Sequence, residues 1–416
     1  MHALECAVRN YAWGSRTALA QLRGVPSPTD HPEAELWMGA HPADPARLVG
    51  GDSVGVDKAS TLLSLIDSDP VSELGVDVCE RFDKQLPFLM KILAAEEPLS
   101  LQAHPSREQA QDGYARENSA GVKLAAHNRN YKDKNHKPEL IVALTPFAAM
   151  AGFRDPHETV RLLRALDCPK LEHYCGILAG QPDSDGLRTL FTTWITLPQA
   201  QLSELLDDVT TNCIRYLSEK GGAEFAGTVK NLLQLVERYP GDAGVLAAML
   251  LNHVTLEPGE GIFLEAGVLH AYLYGVGVEL MANSDNVLRG GLTPKYVDVP
   301  ELMRVVDFHP LDVTPVELRN ADPGGTAERV YSTPTSEFRL SRIDLDATGL
   351  HHSVSHSIAS TGPQIVVCTR GSVTATCGSS VYEIPQGGAV WVSAVDPEVV
   401  LHARTAHDQV FRALVP

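Results

Sequence analysis

An abrupt change of texture near residue 155 does most to limit what this chain can fold into. Before it, short apolar runs alternate with Pro, Gly and Asp, as in "ELWMGAHP", "LPFLMKILAAEEPLSLQAHP" and "PELIVALTPFAAMAGF", a pattern of strands and turns. Then "DPHETVRLLRALDC" offers Asp155 as an N-cap, Pro156 in the first turn and Glu158 three residues after the cap, followed by leucines and a valine at helical spacing. "LPQAQLSELLDDV", "TVKNLLQLVERY" and "GDAGVLAAMLLNHV" continue in that manner. Strand signals return in "VTLEPGEGIFLEAGVLHAYL", where Pro258-Gly259 suits a type II turn. Beyond about residue 320 the chain is Thr-, Ser- and Val-rich, with almost no helical pattern. There "VYEIPQGGAVWVSA" repeats the strand–turn–strand, with Pro385 and Gly388 roughly where Pro258 and Gly261 fell. The expectation is a mainly β protein with an all-helical insertion. Two sandwich or jelly-roll units account for the strands. The spans are 1–154 with 250–318 for the first β unit, 155–249 for the helical domain, and 319–416 for the second β unit.

With 416 residues the chain can bury sizeable cores without staples. No apolar run reaches the roughly 18 residues of a membrane span; the longest, 140–153, is interrupted by Thr145 and Pro146. The first residues show no basic stretch followed by an apolar one, so no secretory signal is expected. Seven scattered cysteines without a CxxC pair point to free thiols in a reducing compartment, hence the cytoplasm. A net charge of −18 repels nucleic acid and anionic membrane, so neither is expected as a partner. An anionic substrate would need a local cluster of cations.

Within "LSLQAHPSREQA", Gln102 and His104 are two apart and would face the same side of a strand, which Pro105 then ends. Three other stretches could complete a site: His136, Lys137 and Glu139 in "NYKDKNHKPELIVAL", His270 in "AGVLHAY", and the run "GVELMANSDNVLRGGLTPKYVDVPEL". Each residue taken singly has an ordinary explanation as a core histidine, an ion-pair partner or a polar loop. Jointly they sit at the mouths of predicted strands, where the interior of a β unit opens. A glutamine, two histidines and a glutamate form a donor set suited to a borderline divalent ion, zinc foremost.

"SLQAHP", "NHKPE", "GVLHAY" and "GVELMANSDNVLRGGLTPKYVDV", with "NYAWGS" and "AELWMGAHP", resemble the type I mannose-6-phosphate isomerase (phosphomannose isomerase) family. The resemblance covers about the first 310 residues apart from the helical block. It implies cupin β-barrels and a zinc-dependent interconversion of mannose 6-phosphate and fructose 6-phosphate, with one Zn2+ per chain. It implies Gln102, His104, Glu139 and His270 as metal ligands and Arg289 as a catalytic residue. Lys91, Ser100, Lys137 and Glu279 also occupy family positions. Lys91, Ser100, Tyr272, Asp285 and Lys295 are assigned to the hexose 6-phosphate. The reaction needs a base to carry a proton between C2 and C1 through an enediol. Glu279 is the first choice, then Lys137, with His136 also a candidate, and the sequence supplies no distances among them. The second β unit holds His402 in "VVLHARTA" but no QxH or HKPE, so it is expected to be metal-free. A monomer is expected, a dimer being the alternative. The competing functions are another metal-dependent sugar-phosphate isomerase and a non-catalytic sugar-phosphate sensor.

Overall fold

All eight residues of the Phe88–Ala95 strand are buried, so both of its faces are covered. Period-two alternation sends Phe88, Met90, Ile92 and Ala94 into one apolar cluster and Leu93 and Ala95 into another. Lys91 lies on the second side. The computed structural model describes residues 1–49, 60–220, 224–321, 327–346 and 354–416. It is a mixed helix-and-sheet protein, and among the described residues every strand-to-strand pairing is antiparallel, with one isolated parallel bridge between Phe153 and Pro310.

The strand carrying Lys91 belongs to a ten-stranded sheet. Its main path runs Gly261–Leu264, Glu139–Ala143, His270–Ala282, Phe88–Ala95, Glu35–Met38, Ala7–Arg9. The strands Leu101–Ala103, Leu288–Gly291, Phe147–Phe153 and Leu251–Leu256 branch from it. The long strand His270–Ala282 is the shared member. Its start pairs with Leu101–Ala103 and Phe147–Phe153, and its end with Phe88–Ala95 and Glu139–Ala143. A register shift between Tyr272 and Tyr274 precedes Gly275, whose φ of 121° only glycine adopts readily. One extra residue inverts the alternation. Tyr272 before the bulge and Met281 after it therefore both pack on the inner side, and His270 and Glu279 share their parities.

An eight-stranded sheet packs against the other face of Phe88–Ala95, burying Tyr331, Phe338, Leu340, Ile365, Val367, Trp391 and Phe411 with Met90, Ile92, Val278 and Leu280. Each large apolar side chain fully buried there stabilises the fold by about 1.5–3 kcal/mol. A four-stranded sheet covers the far side through Val373, Ala375, Val399 and Leu401. The eight-stranded sheet includes His2–Glu5 and Arg47–Val49 beside strands from beyond residue 318. Each Pro/Gly turn carries the chain from one set of strands to another: Gly261–Leu264 and Leu251–Leu256 pair with different neighbours, as do Ser380–Pro385 and Ala389–Val392. The i+2 residues are Gly259 (φ 93°) and Gly387 (φ 79°), closed by Glu260 N–H to the Glu257 carbonyl and Gly388 N–H to the Pro385 carbonyl. The two turns thus superpose one residue away from the expected alignment, with Pro258 at i+1 and Pro385 at i.

From Pro156 to Ala248 the described residues form only helices, beginning with the expected Asp155 cap, which accepts from the His157 and Glu158 N–H groups. Their leucines pack on Leu101, Met150, Phe153 and Leu288. No described helix is long and apolar enough to cross a membrane. The first 150 residues are less purely β than expected. Their described residues include five helices, among them Arg107–Ser119, started by a capping box between Ser106 and Gln109.

Candidate metal centre and sugar-phosphate pocket

Strand register brings the distant segments together. Gln102 lies directly across from His270 on one side and from Arg289 on the other. Leu101 and Ala103 point into the helical core, so Gln102 takes the opposite, inner face. His104 follows the strand end and is buried, as are Glu139 and His270.

The protons on these groups are fixed by their partners. His104 Nδ1 is 2.8 Å from the Asn286 carbonyl oxygen, and His270 Nδ1 is 2.9 Å from that of Val268. A carbonyl only accepts, so each Nδ1 carries a ring proton, and in the neutral ring each Nε2 presents a lone pair. Those Nε2 atoms lie 3.2 and 3.3 Å from Glu139 Oε1 and Oε2. Burial opposes ionisation of Glu139, but Lys137 Nζ, 3.1 Å from Oε1, holds the carboxyl well below its usual range. Burial lowers His104 to about 4, keeping the ring neutral. Lone pairs therefore face lone pairs. His104 Nε2, His270 Nε2 and Glu139 Oε2 are all buried without a hydrogen-bond partner. One ligand atom from each residue falls within 4.8 Å of the others. Two imidazoles and a carboxylate so arranged call for a cation, and the donor types fit zinc.

These groups underlie a cleft of about 1460 Å³. Lys91, Ser100, Gln102, Lys137, Glu139, Tyr272, Glu279, Asp285, Arg289 and Lys295 all line it. Lys91 is not a free cation. It faces Glu279 across the strands, donates to Glu279 Oε2 at 2.8 Å and to Glu35 Oε1 at 3.4 Å. Burial alone would lower its proton affinity, yet these two carboxylates raise it. Burial raises the Glu279 carboxyl above its usual range against the pull of Lys91, with Glu139 and Glu35 adding like-charge repulsion. Tyr272 is fully buried beside Glu279, and burial together with that carboxylate raises its hydroxyl well above the usual range. Asp285 is held below the ordinary carboxylate range by a hydrogen bond from His41, whose Nε2 is 3.3 Å away.

The cations left for an anion are Arg289, Lys295 and Lys132, none with an ion-pair partner among the described residues. Burial lowers the proton affinity of Lys295, and Arg289 and Lys132 lower it further. His136 is not brought into the cleft. Its Nε2 lies 2.8 Å from Glu337 Oε1, away from the reacting side. Glu35, Trp37, Lys132 and Asn286 went unpredicted. Glu35 and Trp37 had a signal, being two apart in "AELWMGAHP". For Asn286, whose backbone orients His104, the sequence offers none.

The phosphomannose isomerase type I catalytic-domain model matches residues 1–156. Mannose-6-phosphate isomerase of Escherichia coli (strain K12) is 39% identical over 412 residues, 98% of each chain. That of Homo sapiens is 32% identical, covering 94% of this chain and 93% of its own. This chain belongs to the type I phosphomannose isomerase family. A solved zinc-bound mannose 6-phosphate isomerase superposes with a TM-score of 0.86 at 34% identity, covering 100% of this chain and 99% of that one. His402 lies in Val399–Ala403, and among the described residues the group of His, Cys, Asp and Glu side chains spaced to hold a metal is His104, Glu139 and His270.

Proposed function

We propose that this protein interconverts D-mannose 6-phosphate and D-fructose 6-phosphate, using one zinc ion held by Gln102, His104, Glu139 and His270. The observation that carries this is the proton-free convergence of two Nε2 atoms on an ionised carboxylate at the base of a cation-bearing cleft. Two cupin barrels (1–154 with 250–318, and 319–416) and a helical domain (155–249) form the frame, the last barrel metal-free and completed by His2–Glu5 and Arg47–Val49. Free cysteines support a cytoplasmic setting.

Arg289, Lys132 and Lys295 bind the phosphate end, with Ser100 available as a hydroxyl donor. This places C1 and C2 toward Gln102, Glu139 and Glu279. Bound zinc supplies Lewis acidity toward the substrate oxygens. Glu279 is the base: it lines the cleft and its raised proton affinity suits it to take the C2 proton and return it to C1. Lys91 keeps Glu279 anchored through the 2.8 Å bond. The Tyr272 hydroxyl can donate to an enediolate oxygen, and the proton on O2 passes to O1, so the two carbon and two oxygen transfers balance. Lys137, bound to Glu139, is the alternative proton carrier.

The test is a coupled assay of fructose 6-phosphate formation from mannose 6-phosphate, with chelator and with zinc restored. Turnover that persists without metal, or that is absent with it, ends this reading. A neutral Gln102 leaves the ligand set about one positive charge in excess, by summing formal charges. Gln102→Glu should therefore hold zinc at least as firmly yet turn over more slowly with a raised KM. Parent-like kinetics at matched zinc occupancy would show that Gln102 does not set that charge.

A further inference from the structure

The segment beyond residue 318 reaches the loop ahead of Glu139 through a buried carboxylate. Glu337 is 4% exposed. Its Oε1 accepts from Arg107 and faces His136 Nε2 at 2.8 Å, while Oε2 accepts from the Thr335 hydroxyl at 2.5 Å and the Ser336 hydroxyl at 3.3 Å. Arg107 Nη2 also lies 2.9 Å from His136 Nε2. His136 immediately precedes Lys137, whose ammonium is 3.1 Å from Glu139 and lines the cleft. The loop ahead is already held, since Asn135 O accepts from Asn286 Nδ2 at 2.9 Å and Pro138 O accepts from Ala282 N–H at 3.0 Å. Between those two backbone anchors, His136 has one carboxylate partner, Glu337.

We infer that Glu337 is a positioning residue for the isomerisation: by fixing His136 it sets where Lys137 presents its charge to Glu139 and to the substrate. Nothing in the sequence links residue 337 to a site some two hundred residues earlier, and the carboxylate touches neither cleft nor metal ligands. Its neighbours on either side serve other ends. Phe338 is buried in the apolar layer between the sheets, and the Ser336 carbonyl accepts from Arg81. The Glu337 side chain alone turns toward the His136 loop. Removing it leaves His136, next to Lys137, with Arg107 but without its carboxylate, and leaves Arg289, Lys132 and Lys295 unaltered, so the effect belongs in kcat and not in KM.

This inference rests on the proposed isomerase, and the parent enzyme's turnover tests that reading separately. The experiment is a double-mutant cycle of Glu337→Gln and His136→Gln on zinc-loaded full-length protein, reading kcat, KM, chelator-competed zinc affinity and melting temperature. Each single variant should lower kcat about tenfold, the scale for partners one step removed from a site, with KM little changed. The double variant should fall no further than either single, because both act through one contact. His136 is only partly buried, so His136→Gln keeps the test open even where Glu337→Gln fails to fold. Parent-like kcat in His136→Gln, full additivity in the cycle, or a lowered melting temperature with unchanged kcat per zinc would each overturn the inference.

Discussion

Glu139→Gln should abolish turnover, by at least about a thousandfold or roughly 4 kcal/mol of transition-state stabilisation, and should at the same time remove most of the stabilisation that zinc gives the fold. The two effects have one cause. In the parent the Glu139 oxygens lie 3.2 and 3.3 Å from the two imidazole Nε2 atoms, and Lys137 holds the carboxyl ionised. An amide of the same shape removes the one formal negative charge that would offset a cation there, and it leaves buried Lys137 without its counter-ion. Thermal unfolding with and without zinc reads the second effect. Zinc should raise the parent's melting temperature strongly and the variant's little. A variant that keeps zinc-dependent stabilisation would remove Glu139 from the ligand set.

Arg289→Lys should cost about a hundredfold or more in kcat/KM with zinc content unchanged. Arg289 sits directly across from Gln102 and lines the cleft with no anionic partner among the described residues, so its planar fork is available to the substrate. Lysine keeps the charge and loses the fork, and its shorter reach leaves Lys295 and Lys132 to hold the anion. The division between the constants places the guanidinium: a loss in KM puts it on the phosphate, a loss in kcat puts it on charge developing at C1–C2. Near-parent values in both would strike it from the site.

Much of the metal centre was legible because alternation is a local rule. Gln102 did fall on the inner side, but the strand ends at Ala103, one residue short of His104 and two short of Pro105, so His104 reaches Glu139 from just past the strand. The same rule, applied two residues upstream of Glu139, separates Lys137 from His136, since 137 and 139 share a parity and 136 has the other. His136 accordingly turns to Glu337. That His104, Glu139 and His270 meet was not in the spacing; it came from the family resemblance, and strand register supplies the physical reason. Lys91 looked like a free phosphate ligand because a lone lysine in an apolar strand carries no sign of its neighbours. The carboxylates that neutralise it come from residues 35 and 279, on the two strands flanking it. The helix at Arg107–Ser119 is signalled by the capping pair Ser106 and Gln109, but it has few apolar residues, so no helical periodicity marks it against the strand pattern just before.

The placement of His2–Glu5 has a consequence for how the molecule is made. That strand is hydrogen-bonded on one edge to Arg47–Val49 and on the other to Ala389–Val392. Its second partner lies almost the whole chain away, and the α-amino group of Met1 closes onto Asp396 at 2.7 Å. During synthesis the earliest segment therefore waits, half paired, until nearly four hundred further residues have emerged. Contacts of such separation are slow to form, and an unsatisfied strand edge is the kind of surface on which neighbouring nascent chains pair wrongly. Only when Ala389–Val392 emerges does the His2–Glu5 strand acquire its second neighbour, more than a hundred residues after His270, the last of the proposed metal ligands.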